Sequence, residues 1–116
     1  MTDNMKSTES AGRSGNALKT LGLAARSGKL VYGCDACCDA LKSGRSLLII
    51  MASGISQNTS KRLSDRCAFY GARLIQAECG ADELGQALGR RTGVAAAAVT
   101  DKSLAGAVAS AFDKQQ

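Results

Sequence analysis

Three of the five cysteines lie close together in the segment CDACC, at the start of a predicted helix. Cys34 and Cys37 form a CxxC pair there, where unpaired backbone amides and the helix dipole lower the pKa of a thiol. This pair is the clearest enzyme-like feature of the sequence. A zinc site is less well supported, because zinc takes four ligands. The segment supplies two or three, and Cys67 and Cys79 lie on other predicted elements.

Other features of the sequence argue against catalysis at these cysteines. A thioredoxin-type site normally has an aromatic residue before the motif and a cis-proline opposite it, and this chain contains no proline and no tryptophan. It also contains no histidine, the commonest acid and base near neutral pH, which weakens every Ser/His and Cys/His scheme. Cysteine often packs as a small buried hydrophobe. We therefore favour a structural role for Cys37, and we favour such a role less strongly for Cys34.

The basic residues indicate a different chemistry. The chain has 15 lysines and arginines against 10 acidic residues, a net charge of +5, which favours a polyanionic partner. The same excess also suits an ordinary soluble surface, so the position of the charges must decide. Arg90 and Arg91 lie in the glycine-bounded segment GRRTG, and four other cations flank predicted helices: Arg26, Lys29, Lys42 and Arg45.

An alternating α/β fold brings the loops at one end of its sheet together, and ligands bind at such ends. The turn at Gly33, which opens the second predicted helix, and the GRRTG loop before the last predicted strand are expected to form one concave rim. Phosphate oxygens would meet the amides of the helix start there. Arg26, Lys42 and Arg45 have an alternative role as helix-end cations that complement dipoles. With two tyrosines and two phenylalanines, the stacking platform of a sheet-surface RNA reader or a single-strand binder is not available.

The hydrophobic pattern that must position these residues predicts nine alternating elements, beginning and ending with a helix. Predicted strands cover residues 30–32, 47–51, 73–77 and 94–99, and predicted helices begin after Gly15, at Cys34, at Ser56 or Asn58, at Ala81 and after Thr100 or Asp101. Residues 30–52 read as a compact βαβ unit whose second strand, apolar throughout, is central. Strict alternation predicts a three-layer α/β/α sandwich, class α/β, in which helices bury both faces of a small, four-stranded, mixed but mainly parallel sheet.

Length and composition set the domain organisation. Residues 1–14 show no apolar periodicity and are predicted to be a flexible tail, and residues 15–116 are enough for one domain. The odd number of cysteines and the polar N-terminus favour a reducing cytoplasm. No apolar run approaches the roughly 18 residues that a membrane span needs. We expect a soluble cytoplasmic monomer with no membrane contact.

The sequence contains, in order and at matching spacing, the segments LGLAARSGKLVYG, ALKSGRSLLIIMASGISQNTSKRL and LGQALGRRTGVAAAAVTD. Together they resemble the ribosomal protein family of L-seven-Ae and L-thirty-e, with its bacterial YlxQ-like members, over nearly all of residues 15–112. The resemblance implies a three-layer α/β/α fold for an L-seven-Ae-like RNA-binding domain over residues 15–116. Its best-known members bind kink-turn RNA with the start of the second helix and the loop before the last strand.

Position by position, the family's kink-turn motif Gly-x-Asn-Glu-x-x-Lys corresponds to Gly33, Asp35, Ala36 and Asp39, of which only the glycine is retained. Asp35 lacks the donors of an amide, and Ala36 cannot hydrogen-bond a base. Asp39 places a negative charge where the family's lysine would meet phosphate. These departures argue against standard kink-turn affinity.

The loop before the last strand matches the family better. Arg90, Arg91, Thr92 and Gly93 occupy the positions of the recognition loop, and this loop is more basic than the family pattern leads us to expect. We therefore expect RNA binding to depend mainly on this loop.

The leading hypothesis is a non-catalytic RNA-binding protein of the L-seven-Ae type, without a cofactor, that contacts structured RNA of the kink-turn or ribosomal kind. Arg90 and Arg91 would hold phosphates, Gly33 would permit close backbone approach, and Lys29 and Lys42 would add outer electrostatic attraction. The full set of candidate RNA-binding residues is Lys29, Gly33, Asp35, Ala36, Asp39, Lys42, Arg90, Arg91, Thr92 and Gly93.

Two alternatives remain open at this point. One is a protein-interaction module with a degenerate RNA site, which would use an exposed apolar patch around Cys34 and Cys38. The other is a thiol or metal site formed by Cys34, Cys37 and Cys38, the CxxCC cluster.

Overall fold

Helices and strands alternate along the chain in a computed structural model, which describes residues 17–113. The helices are α1 (residues 17–26), α2 (Cys34–Lys42), α3 (Gln57–Tyr70), α4 (Ala81–Ala87) and α5 (Lys102–Asp113), and the strands are β1 (Leu30–Tyr32), β2 (Leu48–Ser53), β3 (Arg73–Gly80) and β4 (Ala96–Val99). This is the predicted order. The predicted tail over residues 1–14 and the predicted beginning of the first helix lie outside the described residues.

Polar caps and glycines set the ends of these elements. Ser56, one of the two residues predicted to cap α3, is its N-terminal cap. Its Oγ accepts a hydrogen bond from the amide of Thr59 at 3.2 Å. Gly71 ends the same helix in the left-handed region, with φ of 70°. Asp101 caps α5, where its Oδ2 accepts from the amide of Leu104 at 2.9 Å. Local sequence therefore determines where these helices start and stop.

The four strands pair in the order β1-β4-β2-β3. β2 and β3 are parallel, whereas β4 is antiparallel to both of its neighbours, β1 and β2. The predicted four-stranded mixed sheet is confirmed, and the expectation of a mainly parallel sheet is wrong. β1 and β2 run in the same direction, as a βαβ unit requires, but β4 lies between them.

The shortness of α4 explains the direction of β4. After β3 ends at Gly80, the chain forms α4 and then turns back to the first residue of this helix. There the amide of Val94 donates to the carbonyl of Ala81 at 3.0 Å. β4 therefore enters the sheet at the end where β3 leaves it. A complete crossover would have carried the chain to the other end and made the strand parallel.

Helices cover both faces of the sheet, which completes the predicted three-layer α/β/α sandwich. Leu48, Ile50 and Ala52 of β2 pack in one core with α1, α4 and α5. Ile49 and Met51 pack in a second core with α2 and α3. The burial of β2 on both faces and its two neighbours confirm that it is a central strand. β4 consists largely of buried alanines, and α2 packs closely against it.

Gly22 allows α1 to pack closely against α4. A Cβ built on Gly22 would lie 2.8 Å from the carbonyl oxygen of Ala87. We expect Gly22→Ala to lower the free energy of unfolding by about 1–3 kcal/mol, because overpacking outweighs the gain of about 1 kcal/mol that alanine brings to a helix. Urea unfolding measures the change.

Gly106 in α5 provides the matched control for this prediction. A Cβ there meets no atom within 4 Å, so Gly106→Ala should raise the stability through helix propensity alone. Equal stabilisation by both substitutions would show that α1 and α4 do not pack as described.

Candidate nucleic-acid interface

The loop between α4 and β4, residues 88–95, is fixed on α4 by backbone contacts. The amide of Arg90 donates to the carbonyl of Gly85 at 2.8 Å, and Val94 donates to Ala81 at 3.0 Å. Gly85 has no Cβ, and one placed there would collide with the carbonyl oxygen of Thr92. Backbone groups hold the loop, and residues 90–93 are exposed to solvent.

Gly33 connects β1 to α2 beside the first residue of β4. Its φ of 98° lies in a region that side chains disfavour. Its amide donates to the carbonyl of Ala96 at 2.9 Å, and its own carbonyl accepts from the amide of Cys37 at 2.9 Å. Because glycine carries no capping side chain, the first turn of α2 has no side-chain cap. Its amides are therefore available to phosphate oxygens.

Arg90 links the loop to this helix start. Its guanidinium carbon lies over the ring of Tyr32, 4.9 Å from the centroid, the geometry of a cation–π contact. Tyr32 immediately precedes Gly33 and is 40% exposed. The structure thus brings Gly33 and the predicted loop to one end of the sheet. We call the surface formed by Tyr32, Gly33, the first turn of α2 and residues 90–93 the loop–helix rim.

The three positions at which the chain departs from the kink-turn motif follow Gly33 on α2. Asp35 and Asp39 are exposed, and Ala36 is half-buried. Asp35 forms an ion pair with Arg62 of α3, with 3.1 Å between Oδ1 and Nη1. Arg62 therefore offsets the negative charge that Asp35 brings to the rim. Both side chains are largely exposed, so the pair adds little to stability.

Lys29 and Lys42 do not join the rim. Lys29 precedes β1, and its carbonyl accepts from the amide of Thr100, beyond the end of β4. Lys42 ends α2, about 10 Å along the helix axis from Asp35. Both therefore lie at the opposite end of the sheet, where salt screens most of their effect on the rim.

Tyr32 and Arg62 are two rim contacts that the sequence interpretation missed. The sequence pattern predicts only a strand position for Tyr32, although an aromatic residue directly before the Gly33 turn is a signal that it borders the site. Arg62 lies on the exposed face of α3. Its contact with α2 depends on how the two helices pack, and no local pattern encodes that.

The cysteines show the reverse of the expected activation. Burial raises the pKa of Cys34, although Arg62 opposes the shift. Burial also raises the pKa of Cys37 to about 12 and that of Cys67 to about 11. Desolvation of the thiolate is the largest cause of each of these shifts. The expected lowering of the Cys34 and Cys37 pKa values is wrong, and the buried, structural Cys37 is confirmed.

The structure also bears on the alternatives that depended on this cluster. Cys38, on the inner face of α2, is only 8% exposed and packs in the core between α2, α3 and the sheet. The exposed apolar patch around Cys34 and Cys38 that the protein-interaction alternative would use is therefore contradicted. Among residues 17–113, no three cysteine or carboxylate side chains are grouped so that they could hold a metal ion. Over the same residues no helix has the length and apolar character that crossing a bilayer requires.

Comparison with known proteins places this geometry in a family. The profile described as "Ribosomal protein L7Ae/L30e/S12e/Gadd45 family" matches residues 15–108. The chain is 33% identical over 93 residues to a Bacillus subtilis protein named RNA-binding protein YlxQ, which covers 80% of this chain and 91% of that one. The chain therefore belongs to the L7Ae/L30e/S12e/Gadd45 family, and the resemblance inferred from the sequence is confirmed.

Two solved structures share the fold. One, a Bacillus halodurans protein of unknown function, is 29% identical with a TM-score of 0.79 and covers 84% of this chain and 96% of its own. The other, the Giardia lamblia 15.5kD RNA binding protein, is 19% identical with a TM-score of 0.72 and covers 89% and 87%. At that identity the second likeness concerns the fold alone.

Burial of Cys37 should give the protein a measurable pH dependence. Its pKa rises from 9.0 to about 12 on folding, so the unfolded chain loses this proton at lower pH than the folded chain. The stabilisation is complete below pH 9 and is lost as the pH rises toward 12. We expect wild type to lose roughly 1 kcal/mol per pH unit more than Cys37→Ala does above pH 9.

Urea unfolding under reducing conditions at a series of alkaline pH values measures this difference. The substitution changes the packing by a constant amount, so the slope against pH and not the absolute stability is the readout. Parallel slopes for the two proteins would show that the thiol of Cys37 is not protected by burial.

Proposed function

We propose that this protein is a non-catalytic, cytoplasmic RNA-binding protein that binds structured RNA, kink-turn-like or ribosomal, as a monomer. The observation that carries the proposal is the contact of Arg90 with Tyr32 beside Gly33. It joins an exposed basic loop to an uncapped helix start on one surface. Phosphates are the ligands that such a combination attracts.

The relatives support this choice of ligand. A protein 33% identical to this chain is named an RNA-binding protein, and the family match over residues 15–108 includes both parts of the rim. The high pKa values of Cys37 and Cys67 leave these thiols protonated at neutral pH, so they supply no nucleophile. Binding without catalysis is therefore the function that the rim supports best.

The proposed mode of binding follows from how each part of the rim is held. Backbone hydrogen bonds fix the loop, so Arg90 and Arg91 need no further ordering of the main chain to meet phosphates. Gly33 has no atom within 4 Å of the Cβ it lacks, which leaves room for an RNA backbone to approach α2. The exposed Asp39 repels phosphate, so binding shifts from α2 toward the loop.

Arg90→Ala/Arg91→Ala should remove the main phosphate contacts. We expect the double variant to bind a kink-turn hairpin RNA more weakly than wild type. The slope of log K against log salt concentration should fall by about 2, one unit for each cation. Fluorescence anisotropy titrations at several salt concentrations, with a random duplex for comparison, measure both quantities.

Arg26→Ala/Lys102→Ala is the matched control for this experiment. It removes the same charge from exposed positions at the end of α1 and the start of α5, which lie at the end of the sheet opposite the rim, and it should leave the salt slope close to that of wild type. The proposal fails if no structured RNA binds better than the random duplex and the Arg90/Arg91 variant behaves like wild type.

The family motif can be rebuilt on α2. We expect Asp35→Asn/Ala36→Glu/Asp39→Lys to increase affinity for a kink-turn RNA, because it restores the amide donors, the acceptor for a base and the cation for phosphate. Loss of the Asp35–Arg62 pair costs little, since both groups are exposed. The measurement is the ratio of affinities for a kink-turn and a regular duplex.

Glu78→Lys changes the net charge by the same amount at an exposed position on β3. A similar gain for this control would mean that charge alone acts. A triple variant with no gain would mean that the surface around the motif has diverged as well.

A further inference from the structure

The outer face of α3 carries exposed side chains, of which only Arg62 contacts the loop–helix rim. They recur at helical spacing and line one shallow depression: Asn58, Lys61, Arg62, Asp65, Arg66 and Phe69. We call this face the α3 stripe. The opposite face of the helix, with Leu63 and Cys67, packs in the core. The stripe therefore contributes little to the hydrophobic core.

The chemistry of the stripe is that of a polyanion contact. It has three cations against one carboxylate, and the Lys61–Asp65 pair within it, at 3.7 Å, is exposed and weak. Phe69 is 79% exposed, although its ring makes an edge-to-face contact with Tyr70 at 4.9 Å between centroids, and such exposure is unusual for a large aromatic ring. Cations beside an exposed aromatic ring are typical of surfaces that hold phosphates and stack a base.

The stripe is continuous with the loop–helix rim. Arg62 lies 3.1 Å from Asp35 in the first turn of α2, so the two surfaces meet there. α3 begins just after β2, at the same end of the sheet as Gly33, because β1 and β2 run in the same direction. From Asn58 to Phe69 the stripe then extends about 16 Å away from that end.

We propose that the α3 stripe is a second RNA-contact surface, which follows the stem of an RNA held at the loop–helix rim. Lys61, Arg62 and Arg66 contact successive phosphates of the stem, and Phe69 stacks on an unpaired base beyond it. RNA fits better than a protein partner, because one ring among cations offers too little apolar area for a protein interface. The inference rests on the proposed function and extends the RNA contact beyond the loop.

The test uses a kink-turn hairpin RNA with short stems and the same hairpin with one stem lengthened and ended by an unpaired base. Lys61→Ala/Arg66→Ala should weaken binding to the long RNA and lower its salt slope by about 2, and should leave binding to the short RNA nearly unchanged. Phe69→Ala should weaken binding of the long RNA about tenfold, as loss of base stacking predicts. Circular dichroism melting confirms that each variant is folded.

Controls separate this inference from the proposed function. Arg26→Ala/Lys102→Ala loses the same charge on the opposite face of the sheet, at the end remote from the rim, and should match wild type with both RNAs. If Arg90→Ala/Arg91→Ala loses binding while Lys61→Ala/Arg66→Ala binds the long RNA as wild type does, the stripe is not an RNA surface and the rim still is. If wild type binds neither RNA above a random duplex, both proposals are wrong.

Discussion

The hydrogen bond that returns the chain to the start of α4 determines much of this structure. Because Val94 donates to Ala81, the chain enters β4 at the end of the sheet where it left β3. β4 must then run antiparallel, and it fits between β1 and β2. The same return path crosses α4 at Gly85, where any side chain would meet the carbonyl of Thr92. The position of the basic loop is thus a consequence of backbone geometry.

A second backbone contact completes the site. Gly33 donates to Ala96, so α2 begins beside the first residue of β4, immediately after the loop. Small side chains on β4 allow α2 to pack against that strand. Neither part of the rim needs its own side chains to hold the main chain in place. The side chains of residues 90–93 remain exposed, and a ligand would meet a preformed surface at a low entropic cost.

The charges of the rim come from elements that are separate in sequence. Asp35 and Asp39, which depart from the kink-turn motif, make α2 acidic. The loop supplies Arg90 and Arg91, and α3 supplies Arg62, which pairs with Asp35. In the proposed complex the attraction for phosphate has therefore moved from α2 to its neighbours on either side. A scaffold with fixed backbone contacts permits such a shift without a change of fold.

The sequence by itself determined the alternation of helices and strands and the central position of β2, and it narrowed the caps of α3 and α5 to two residues each, of which Ser56 and Asp101 cap the helices. These depend on local periodicity and hydrogen bonding. Only the tertiary structure decided the direction of β4, because the apolar pattern of a strand does not indicate whether it pairs parallel or antiparallel with its neighbours. It also decided the contacts of Arg90 with Tyr32 and of Arg62 with Asp35, and the exclusion of Lys29 from the rim. The same was true of the thiol pKa values, since burial, the largest cause of their shifts, is a property of the packed core.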